Sequence, residues 1–342
     1  MAEFGAQRSR VGQQEDSLQG AKVCVCACTY RRPDGLSAML DGIARQTFSV
    51  MPRPTLHVVI ADNECSDRTR EICTEFERQS AIPVVYVCEP RRGISFARNA
   101  CLDNIPEGFE FFASIDDDEV PDPDWLERLL EAQAATGADV VQGRVVAVFD
   151  EGTPQWIIEG NFFGRPRRLF NLDFHERQNL QELESAGTGN VLIRATLVLK
   201  QSLRFDSDLA LTGGEDTKFF KSLRGHGALI IYADHAVVHE RYPRTRANFR
   251  YMVTERFRMG HVRATVVTKD AEVSARATVR SRLFLQAATH LRLGVRRIAK
   301  TLWSKKRQTD RFAVGAFEAA YGLGILTALA GFRYEHYKKN AV

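Results

Sequence analysis

Cysteine is absent after Cys101, because all seven cysteines of the 342-residue chain lie between Cys24 and Cys101. The N-terminal residues also contain no apolar run of the kind that marks a secreted protein. We therefore expect a cytoplasmic protein whose thiols are reduced. Cys24, Cys26 and Cys28 alternate along an apolar run, so a strand would place all three on one face. A thiolate metal site is one interpretation, but buried cysteine acting as a small apolar side chain is favoured, and no metal is assigned to them.

Acidic residues are scarce in the C-terminal third. Residues 241–342 carry 22 Lys and Arg but only 6 Asp and Glu, whereas residues 1–240 carry 25 and 37. The formal charges of these parts are therefore +16 and −12, which the overall charge of +4 conceals. A cationic segment of this size predicts an anionic partner, with lipid, nucleic acid or an anionic substrate as the candidates. Nucleic acid is disfavoured, because the segment has no interleaved stacking aromatics and no known binding motif.

Short apolar runs alternate with helical patterns from Lys22 onward, which is typical of an α/β fold with a mostly parallel sheet flanked by helices. Residues 1–20 are polar and predict a disordered leader. Residues 150–185 have little periodicity and predict a loop-rich insertion over a cleft. We expect an α/β domain over residues 21–245 and a basic helical region over residues 246–342. The predicted strands cover residues 23–28, 56–61, 84–87, 109–115, 140–149, 189–193 and 228–232.

Three consecutive aspartates end one apolar run and give the sequence IDDDE from Ile115 to Glu119. A strand that ends there would place Asp116 and Asp118 at i and i+2, where both carboxylates can face a divalent cation such as Mg²⁺ or Mn²⁺. These ions usually keep open positions for substrate phosphates, so the pattern predicts a site for a phosphate-bearing substrate. A solvated acidic turn before Pro121 is the alternative.

Further polar residues follow the other predicted strands, at the carboxyl edge where open α/β sheets bind ligands. They are Thr29, Tyr30 and Arg31 after the first strand, Asp62, Asn63 and Glu64 after the second, and Arg98 and Asn99 near a helix start. A helix start and a fixed cation together favour an anion. Taken singly, Asp62 could be a turn former and Arg98 a surface ion pair.

Five motifs together resemble those of the family 2 glycosyltransferases, in that family's order, between Lys22 and Glu240. They are CTYRRP at 28–33, ADNECSD at 61–67, GISFARN at 93–99, IDDDE at 115–119 and GGED at 213–216. Within the family, the likeness is to the rhizobial exopolysaccharide glucosyltransferases of the succinoglycan type, which build repeating units on a lipid carrier. The resemblance implies a GT-A nucleotide-sugar-binding fold for residues 21–245, a UDP-sugar donor and a Mn²⁺ or Mg²⁺ cofactor.

The same resemblance implies roles for individual residues. It makes Asp62 the uracil-binding aspartate, and a carboxylate there would accept the imide N–H that cytosine lacks. It places Asp116 near the ribose and makes Asp118 the ligand of the metal, which offsets charge on the departing diphosphate. Asp117 is grouped with the nucleotide-binding residues, although we expect its side chain to point away. The remaining residues of the implied nucleotide-sugar site are Thr29, Tyr30, Arg31, Asn63 and Arg98.

The acidic pair Glu215 and Asp216 follows two glycines and begins a predicted helix. Aspartate is a favoured cap residue, so helix capping is one interpretation. The resemblance instead implies that Asp216 deprotonates the acceptor hydroxyl, which then displaces the diphosphate and inverts the anomeric centre. Glu215 either contacts the acceptor or exchanges roles with Asp216.

In some relatives a histidine near this place completes metal coordination, so we predict His239 as a metal ligand, with His235 as its rival and a structural histidine as the alternative. Arg256 and Arg258 stand where some processive relatives carry a QxxRW motif, which this chain lacks. A single-addition enzyme is therefore predicted. The two arginines bind the diphosphate or a lipid phosphate, or else form a solvated basic face.

Two C-terminal segments suggest contact with a membrane surface. Residues 279–303 resemble a basic amphipathic interfacial helix, and residues 312–332 hold one charged residue, Glu318, over a length that could span a bilayer. Basic residues flank the second segment on both sides, so we favour a helix in the cytoplasmic leaflet over a span. An ordinary packed helical pair is the alternative. The apolar face predicted for the first segment is Leu283, Ala287, Leu291, Ile298 and Leu302.

The sequence thus predicts an inverting, metal-dependent glycosyltransferase that moves a sugar, with glucose preferred, from a UDP-sugar to a lipid-linked saccharide in polysaccharide biosynthesis. It would act at the cytoplasmic face of the inner membrane as a peripheral or monotopic protein. One rival is a sugar-nucleotide nucleotidyltransferase, but the Gly-rich phosphate loop of that class is missing after the first strand. The other is a non-catalytic nucleotide-binding membrane subunit, which the retention of all four acidic site residues disfavours.

Overall fold

The computed structural model describes residues 20–160, 162–163, 178–303 and 309–332. The strands in these ranges are β1 Lys22–Thr29, β2 Thr55–Asp62, β3 Val84–Cys88, β4 Phe111–Ser114, β5 Glu119–Pro121, β6 Val140–Phe149, β7 Val191–Arg194 and β8 Ile230–Tyr242. The helices are α1 Pro33–Ala44, α2 Asp67–Ser80, α3 Ile94–Asp103, α4 Trp125–Thr136, α5 Gln155–Gly160, α6 Ala195–Lys200, α7 Glu215–Gly225, α8 Phe249–Asp270, α9 Arg276–Leu302 and α10 Thr309–Leu329. Residues 1–19 of the predicted leader, and residues 161 and 164–177 of the predicted insertion, lie outside the described residues.

These strands form one mixed sheet in the order β3-β2-β1-β4-β7-β6-β8-β5. Strands β3, β2, β1 and β4 are parallel, as the alternation of strands and helices predicts. The pairs β4–β7, β7–β6 and β8–β5 are antiparallel. Apolar periodicity has the same form in both kinds of pair, so the sequence did not reveal where the strand direction changes.

Strand β1 lies in the middle of the sheet and is buried on both faces, which explains its continuous apolar run. Val23, Val25 and Ala27 belong to a core with α1, α2 and α4, whereas Cys24 and Cys26 belong to a core with α3, α6 and α7. The alternating cysteines therefore share one face and pack among apolar side chains. The sheet is a layer between two layers of helices.

The strand register brings the carboxyl ends of three parallel strands to one edge. Thr29 at the end of β1 is opposite Asp62 at the end of β2, and Asp62 is opposite Cys88 at the end of β3. Each of these strands is followed by a loop that carries polar residues. The predicted polar edge is thereby formed.

The chain divides into two compact units. Unit 1 comprises Met1–Val146, Arg177–Ala210 and Glu215–Glu240, and unit 2 comprises Ala147–Glu176, Leu211–Gly214 and Arg241–Val342. The sequence placed a single boundary after residue 245. In the structure Ala147–Glu176 and Leu211–Gly214 belong to the same unit as the C-terminal helices. The sequence contains no local signal for such long-range association.

The C-terminal helices of unit 2 pack against one another. Helix α10 contacts both α8 and α9, and Leu283 and Ala287 of α9 are buried together with Tyr321 and Ile325 of α10. Glycines permit the close approach, since a Cβ on Gly294 would lie 2.6 Å from the backbone oxygen of Gly315. The sequence placed Leu283 and Ala287 on a face that contacts the membrane. In the structure these two side chains instead pack against another helix of the protein.

Helix α10 is the one described helix that is long and apolar enough to cross a bilayer, and half of its apolar window is buried within the protein. Its single central charge, Glu318, is fully buried. The two carboxylate oxygens of Glu318 lie 2.5 Å from Nδ1 of His290 and 2.9 Å from Nη1 of Arg297, both on α9. A packed helical pair, which the sequence left as an alternative, describes this arrangement.

Candidate active site

The three aspartates of IDDDE lie in a turn and not on a strand. Strand β4 ends at Ser114 and β5 begins at Glu119, so the alternation of a strand does not set the directions of the side chains between them. Asp117 points inward: it is buried and accepts hydrogen bonds from Thr29 Oγ1 at 2.9 Å and from Arg32 Nη1 at 2.8 Å. The expectation that its side chain points away is wrong, because it assumed a strand.

Arg32 is a residue of this site that sequence reasoning missed. Its Nη1 lies 2.8 Å from a carboxylate oxygen of both Asp117 and Asp118, so one guanidinium joins the loop after β1 to the aspartate turn. The available signal was the second arginine of CTYRRP. Burial raises the pKa of Asp117 to about 6, while the positive charge of Arg32 acts in the opposite direction.

Arg98 connects the aspartate turn with the acidic pair that begins α7. Its Nη1 donates to Oε1 of Glu215, and its Nη2 lies 3.9 Å from Oδ1 of Asp116. Burial lowers the pKa of Arg98, but the negative charges of Glu215, Asp116 and Asp216 outweigh that effect and hold it above the usual value. The two acidic motifs, about a hundred residues apart in sequence, thus form one electrostatic cluster.

The two acidic residues of the pair have different surroundings. Glu215 is buried against Arg98, whereas Asp216 is partly exposed and accepts a hydrogen bond from the backbone N–H of Thr217 at 2.6 Å. Both carboxylates lie in the first turn of α7, where the helix dipole stabilises negative charge. The accessible carboxylate is that of Asp216.

Asp116 is the most exposed aspartate of the turn, with 47% of its side chain accessible. Loss of hydration raises its pKa, Arg98 lowers it, and the nearby charges of Asp118 and Asp216 raise it further. The cluster therefore has more carboxylates than cations, which favours the binding of a further cation.

Asp62 and Asn63 hold the loops of this edge in place. Asp62 is fully buried and accepts from the backbone N–H groups of Glu64 and Ser66, at 2.9 and 2.7 Å, and from the hydroxyl of Tyr86 at 3.0 Å. Asn63 donates to the carbonyl oxygens of residues 89 and 91 and accepts from the N–H of residue 93. Contact of either side chain with a nucleotide stays a prediction.

Tyr30 and Arg31 lie at the rim of the same edge. The guanidinium of Arg31 lies 5.2 Å from the centre of the Tyr30 ring, and that of Arg92 lies 5.9 Å from it. Nε of Arg31 also lies 2.6 Å from Oε1 of Glu64. An aromatic ring and two arginines thus lie together at this edge, and such groups can contact a base and phosphate respectively.

A disulfide joins Cys65, in the loop after β2, to Cys88 at the end of β3. The expectation that all seven cysteines are reduced is wrong for these two. The reason is the parallel register, which sets Cys88 opposite Asp62 and brings the following turn within reach. The remaining five cysteines are free.

His239 lies on β8, and its Nε2 is 2.9 Å from Oδ1 of Asp122. Within the described ranges, no three His, Cys, Asp or Glu side chains converge as a metal site. Asp116 and Asp118 are nevertheless hard oxygen donors, and Mg²⁺ or Mn²⁺ commonly takes one or two carboxylates together with substrate phosphates. The donors fit an ion that binds with a diphosphate, and His239 as its ligand stays a prediction.

Gly189 is a second residue that sequence reasoning missed. A Cβ at this position would lie 2.7 Å from Oε1 of Glu119 and 3.1 Å from Oδ2 of Asp116. Glu119 is buried, and its Oε2 accepts the backbone N–H of Asp116 at 2.9 Å. The glycine therefore leaves room for the carboxylates that fix the aspartate turn, and the signal was the GTGN sequence at 187–190.

The two arginines of α8 have separate surroundings. Arg256 is buried and donates to the carbonyl oxygen of Phe162 at 3.2 Å. Arg258 pairs with Glu255 on its own helix, and a Cβ on Gly213 would lie 2.7 Å from its Nη1. Arg258 therefore lies beside the glycines that precede the acidic pair in sequence.

Comparison with known proteins places this arrangement in context. The family described as Glycosyl transferase family 2 matches residues 24–191. Succinoglycan biosynthesis protein ExoM of Rhizobium meliloti (strain 1021) is 34% identical over 247 residues, which cover 71% of this chain and 74% of that protein. A glucosyl-dolichyl phosphate glucuronosyltransferase of Haloferax volcanii is 25% identical over 260 residues, covering 70% of this chain and 75% of that protein.

Two solved structures share the fold at 16% identity. S. aureus TarS 1-349 in complex with UDP has a TM-score of 0.51 and covers 92% of this chain and 93% of its own. Mannosyltransferase PcManGT from Pyrobaculum calidifontis, in complex with GDP-Man and Mn²⁺, has a TM-score of 0.55 and covers 97% of each chain. The expected GT-A-type fold with helices flanking a central sheet is confirmed, and the sheet is mixed where the sequence predicted a mostly parallel one.

Proposed function

Because this chain belongs to the family 2 glycosyltransferases, we propose that it transfers a sugar from a UDP-sugar to a lipid-linked saccharide with inversion at the anomeric carbon. The observation that carries the proposal is the cluster in which Arg98 joins Asp116 to Glu215 and lies in the field of Asp216. The cluster supports this proposal because it combines an accessible carboxylate, Asp216, with acidic and basic groups of the kinds that bind metal ions and phosphate.

Asp216 is the general base of this proposal. Its carboxylate is partly exposed, so it can accept the proton of an acceptor hydroxyl as that oxygen attacks the sugar. Glu215 is buried in its ion pair with Arg98 and positions that arginine. An exchange of roles between the two is disfavoured, because the base must reach the acceptor.

The donor occupies the carboxyl edge of β1, β2 and β4. Asp62, Thr29 and Tyr30 bind the uridine, and Arg98 with Asp116 lies toward the ribose and diphosphate. A divalent cation held by Asp118 would offset the negative charge that develops on the departing diphosphate. Arg32 pairs with Asp117 and Asp118 and keeps the turn in order until the donor binds. The Mn²⁺ of PcManGT supports this cofactor choice.

The acceptor and location follow from the relatives and from charge. ExoM is by name a succinoglycan biosynthesis protein, and the Haloferax enzyme is by name a glucosyl-dolichyl phosphate glucuronosyltransferase. The first name supports a role in polysaccharide assembly and the second a lipid-linked acceptor, whereas the preference for glucose as the donor sugar rests on the resemblance to the exopolysaccharide glucosyltransferases. Together with the basic C-terminal third, the two names support a place at the cytoplasmic face of the membrane.

The decisive experiment compares two reactions of the purified full chain. UDP-glucose with Mn²⁺ should release UDP, and UTP with glucose 1-phosphate should release no pyrophosphate, because a nucleotidyltransferase would do the opposite. Asp216→Asn should lower UDP release about 10²- to 10⁴-fold, the usual worth of a general base, with nearly unchanged UDP affinity by calorimetry. Asp118→Asn should weaken UDP binding in the presence of Mn²⁺.

Asp310→Asn is the matched control, because it removes an exposed carboxylate from the first turn of another helix, α10, outside the five motifs. It should keep full activity. Full activity of Asp216→Asn would show that the base lies elsewhere. UDP binding without any transfer or hydrolysis, in wild-type protein with all tested sugars, would favour a non-catalytic subunit.

A further inference from the structure

Helix α9 has a second apolar face, which points away from its helical neighbours. Five large apolar side chains on it are exposed: Phe284 by 58%, Leu285 by 66%, Val295 by 62%, Leu302 by 75% and Trp303, directly after the helix, by 89%. They are separated by intervals of one, ten, seven and one residues, which keep them within one broad stripe of an α-helix. Soluble surfaces rarely expose this many large apolar side chains on one side of a helix without a partner.

Basic residues lie within and along this stripe. Arg282, Arg292, Arg296 and Lys300 are exposed on α9, and the helix from Arg276 to Leu302 contains no aspartate or glutamate. The stripe therefore combines bulky apolar side chains with positive charge that no acidic residue of the same helix offsets. That combination is typical of helices that lie in a membrane interface.

We propose that this outer face of α9, formed by Phe284, Leu285, Val295, Leu302 and Trp303 with its four basic neighbours, docks on an anionic lipid bilayer. The apolar side chains would enter the boundary between headgroups and acyl chains, and the arginines and lysine would contact the anionic headgroups. A second copy of the chain is a poorer occupant. Two such faces would bring eight cations together with no carboxylate from either helix.

This face shares only Leu302 with the one that the sequence indicates. Leu283 and Ala287, which the sequence assigned to the membrane, are buried against α10, whereas Leu302 is exposed and belongs to the stripe. Helix α10 then supports α9 from within, through Glu318 and its contacts with His290 and Arg297. The proposal deepens the membrane association in the proposed function, but lipid binding is measured without donor or acceptor, so the two can fail separately.

The test is co-sedimentation of the purified full chain with vesicles of phosphatidylcholine alone and of phosphatidylcholine with phosphatidylglycerol. Wild-type protein should bind only the anionic vesicles, and less tightly as salt is added. The double variant Leu302→Gln/Trp303→Gln should bind them more than about ten-fold less tightly, because it removes two large apolar groups. Arg292→Gln/Arg296→Gln should weaken binding by about five-fold per residue.

Val50→Gln is the matched control, because Val50 is 68% exposed but lies outside the C-terminal helices. It should leave vesicle binding unchanged. Circular dichroism shows whether Leu302→Gln/Trp303→Gln folds. If it does not, Phe284→Gln/Leu285→Gln tests the same face independently. Equal binding of both apolar double variants and wild type would overturn the proposal. A different result would also overturn it: the wild type is a dimer, and Leu302→Gln/Trp303→Gln is a monomer that binds vesicles as the wild type does. The face would then be an interface between two copies of the chain.

Discussion

A buried glutamate paired with an arginine occurs in each unit, Glu215 with Arg98 and Glu318 with Arg297, and the two clusters differ in what surrounds the pair. In unit 1, Glu215 and Arg98 are joined by Asp116, whose side chain is 47% exposed, and by the charge of Asp216. In unit 2, Glu318 lies between His290 and Arg297 and is fully enclosed by helices. The first cluster has excess negative charge near solvent, and the second has one carboxylate shared by two nitrogen donors.

The comparison separates a binding site from a structural contact. A buried ion pair costs desolvation free energy and is weak support for function by itself. Unit 1 adds accessible carboxylates at the carboxyl edge of a parallel sheet, where a cation and a phosphate group can enter. In unit 2 the carboxylate of Glu318 is paired with His290 and Arg297, and these contacts hold α9 against α10. Three substitutions test this distinction.

Removal of the arginine in unit 1 should have the largest effect on stability. Arg98→Met leaves Glu215 buried without its guanidinium, and the free energy of unfolding should fall by about 3–5 kcal/mol. Release of UDP from the donor should also be lost. Urea denaturation and the UDP assay measure the two effects.

Arg78→Met is the control for Arg98→Met. Arg78 forms an exposed pair with Glu75 on α2, and its loss should change neither stability nor activity. Unchanged stability in Arg98→Met, with lost activity, would mean that the arginine serves the ligand alone and that its pair with Glu215 adds nothing to the fold.

Removal of the charge in unit 2 should lower the free energy of unfolding by less, and it should not affect the reaction. Glu318→Gln keeps the shape of the side chain but weakens its hydrogen bonds to His290 and Arg297, at a cost of about 1–3 kcal/mol in the free energy of unfolding. UDP affinity and turnover of the folded variant should match wild type. A large change in UDP affinity would break the comparison, because the two clusters would then share one function.

The sequence predicted the parts of this molecule that depend on local pattern. The parallel strands β1 to β4, their helices, and the positions of Asp62, Asp116 and Asp216 follow from apolar runs and motifs. What it missed depends on contacts between distant segments. Arg32 reaches the aspartate turn only because the loop after β1 lies beside it.

The same reason explains two further differences between what the sequence predicts and what the structure shows. Cys65 and Cys88 form a disulfide because β2 and β3 are parallel neighbours in one particular register, which spacing alone does not specify. Helix α9 has apolar residues on two sides, and a helical pattern does not show which side packs inward. Local periodicity shows which side of a helix is apolar, but the segment that packs against that side depends on the tertiary structure.

The smallest effect concerns the hydrogen bond from Tyr86 to Asp62. Tyr86→Phe removes the hydroxyl that donates at 3.0 Å, while two backbone N–H groups still bind the carboxylate, so the loss should be about 1 kcal/mol at neutral pH. Burial, followed by the hydrogen bond to Asp62 and the charge of that carboxylate, raises the pKa of Tyr86 from 10.0 to about 12. The folded state therefore keeps the tyrosine proton at a pH where the unfolded state has lost it, and wild-type stability falls as the pH rises from 10 toward 12. The phenylalanine variant has no such proton, so its disadvantage in urea denaturation should shrink over that interval. A constant difference at all pH values would show that Tyr86 does not titrate against Asp62 in the folded protein.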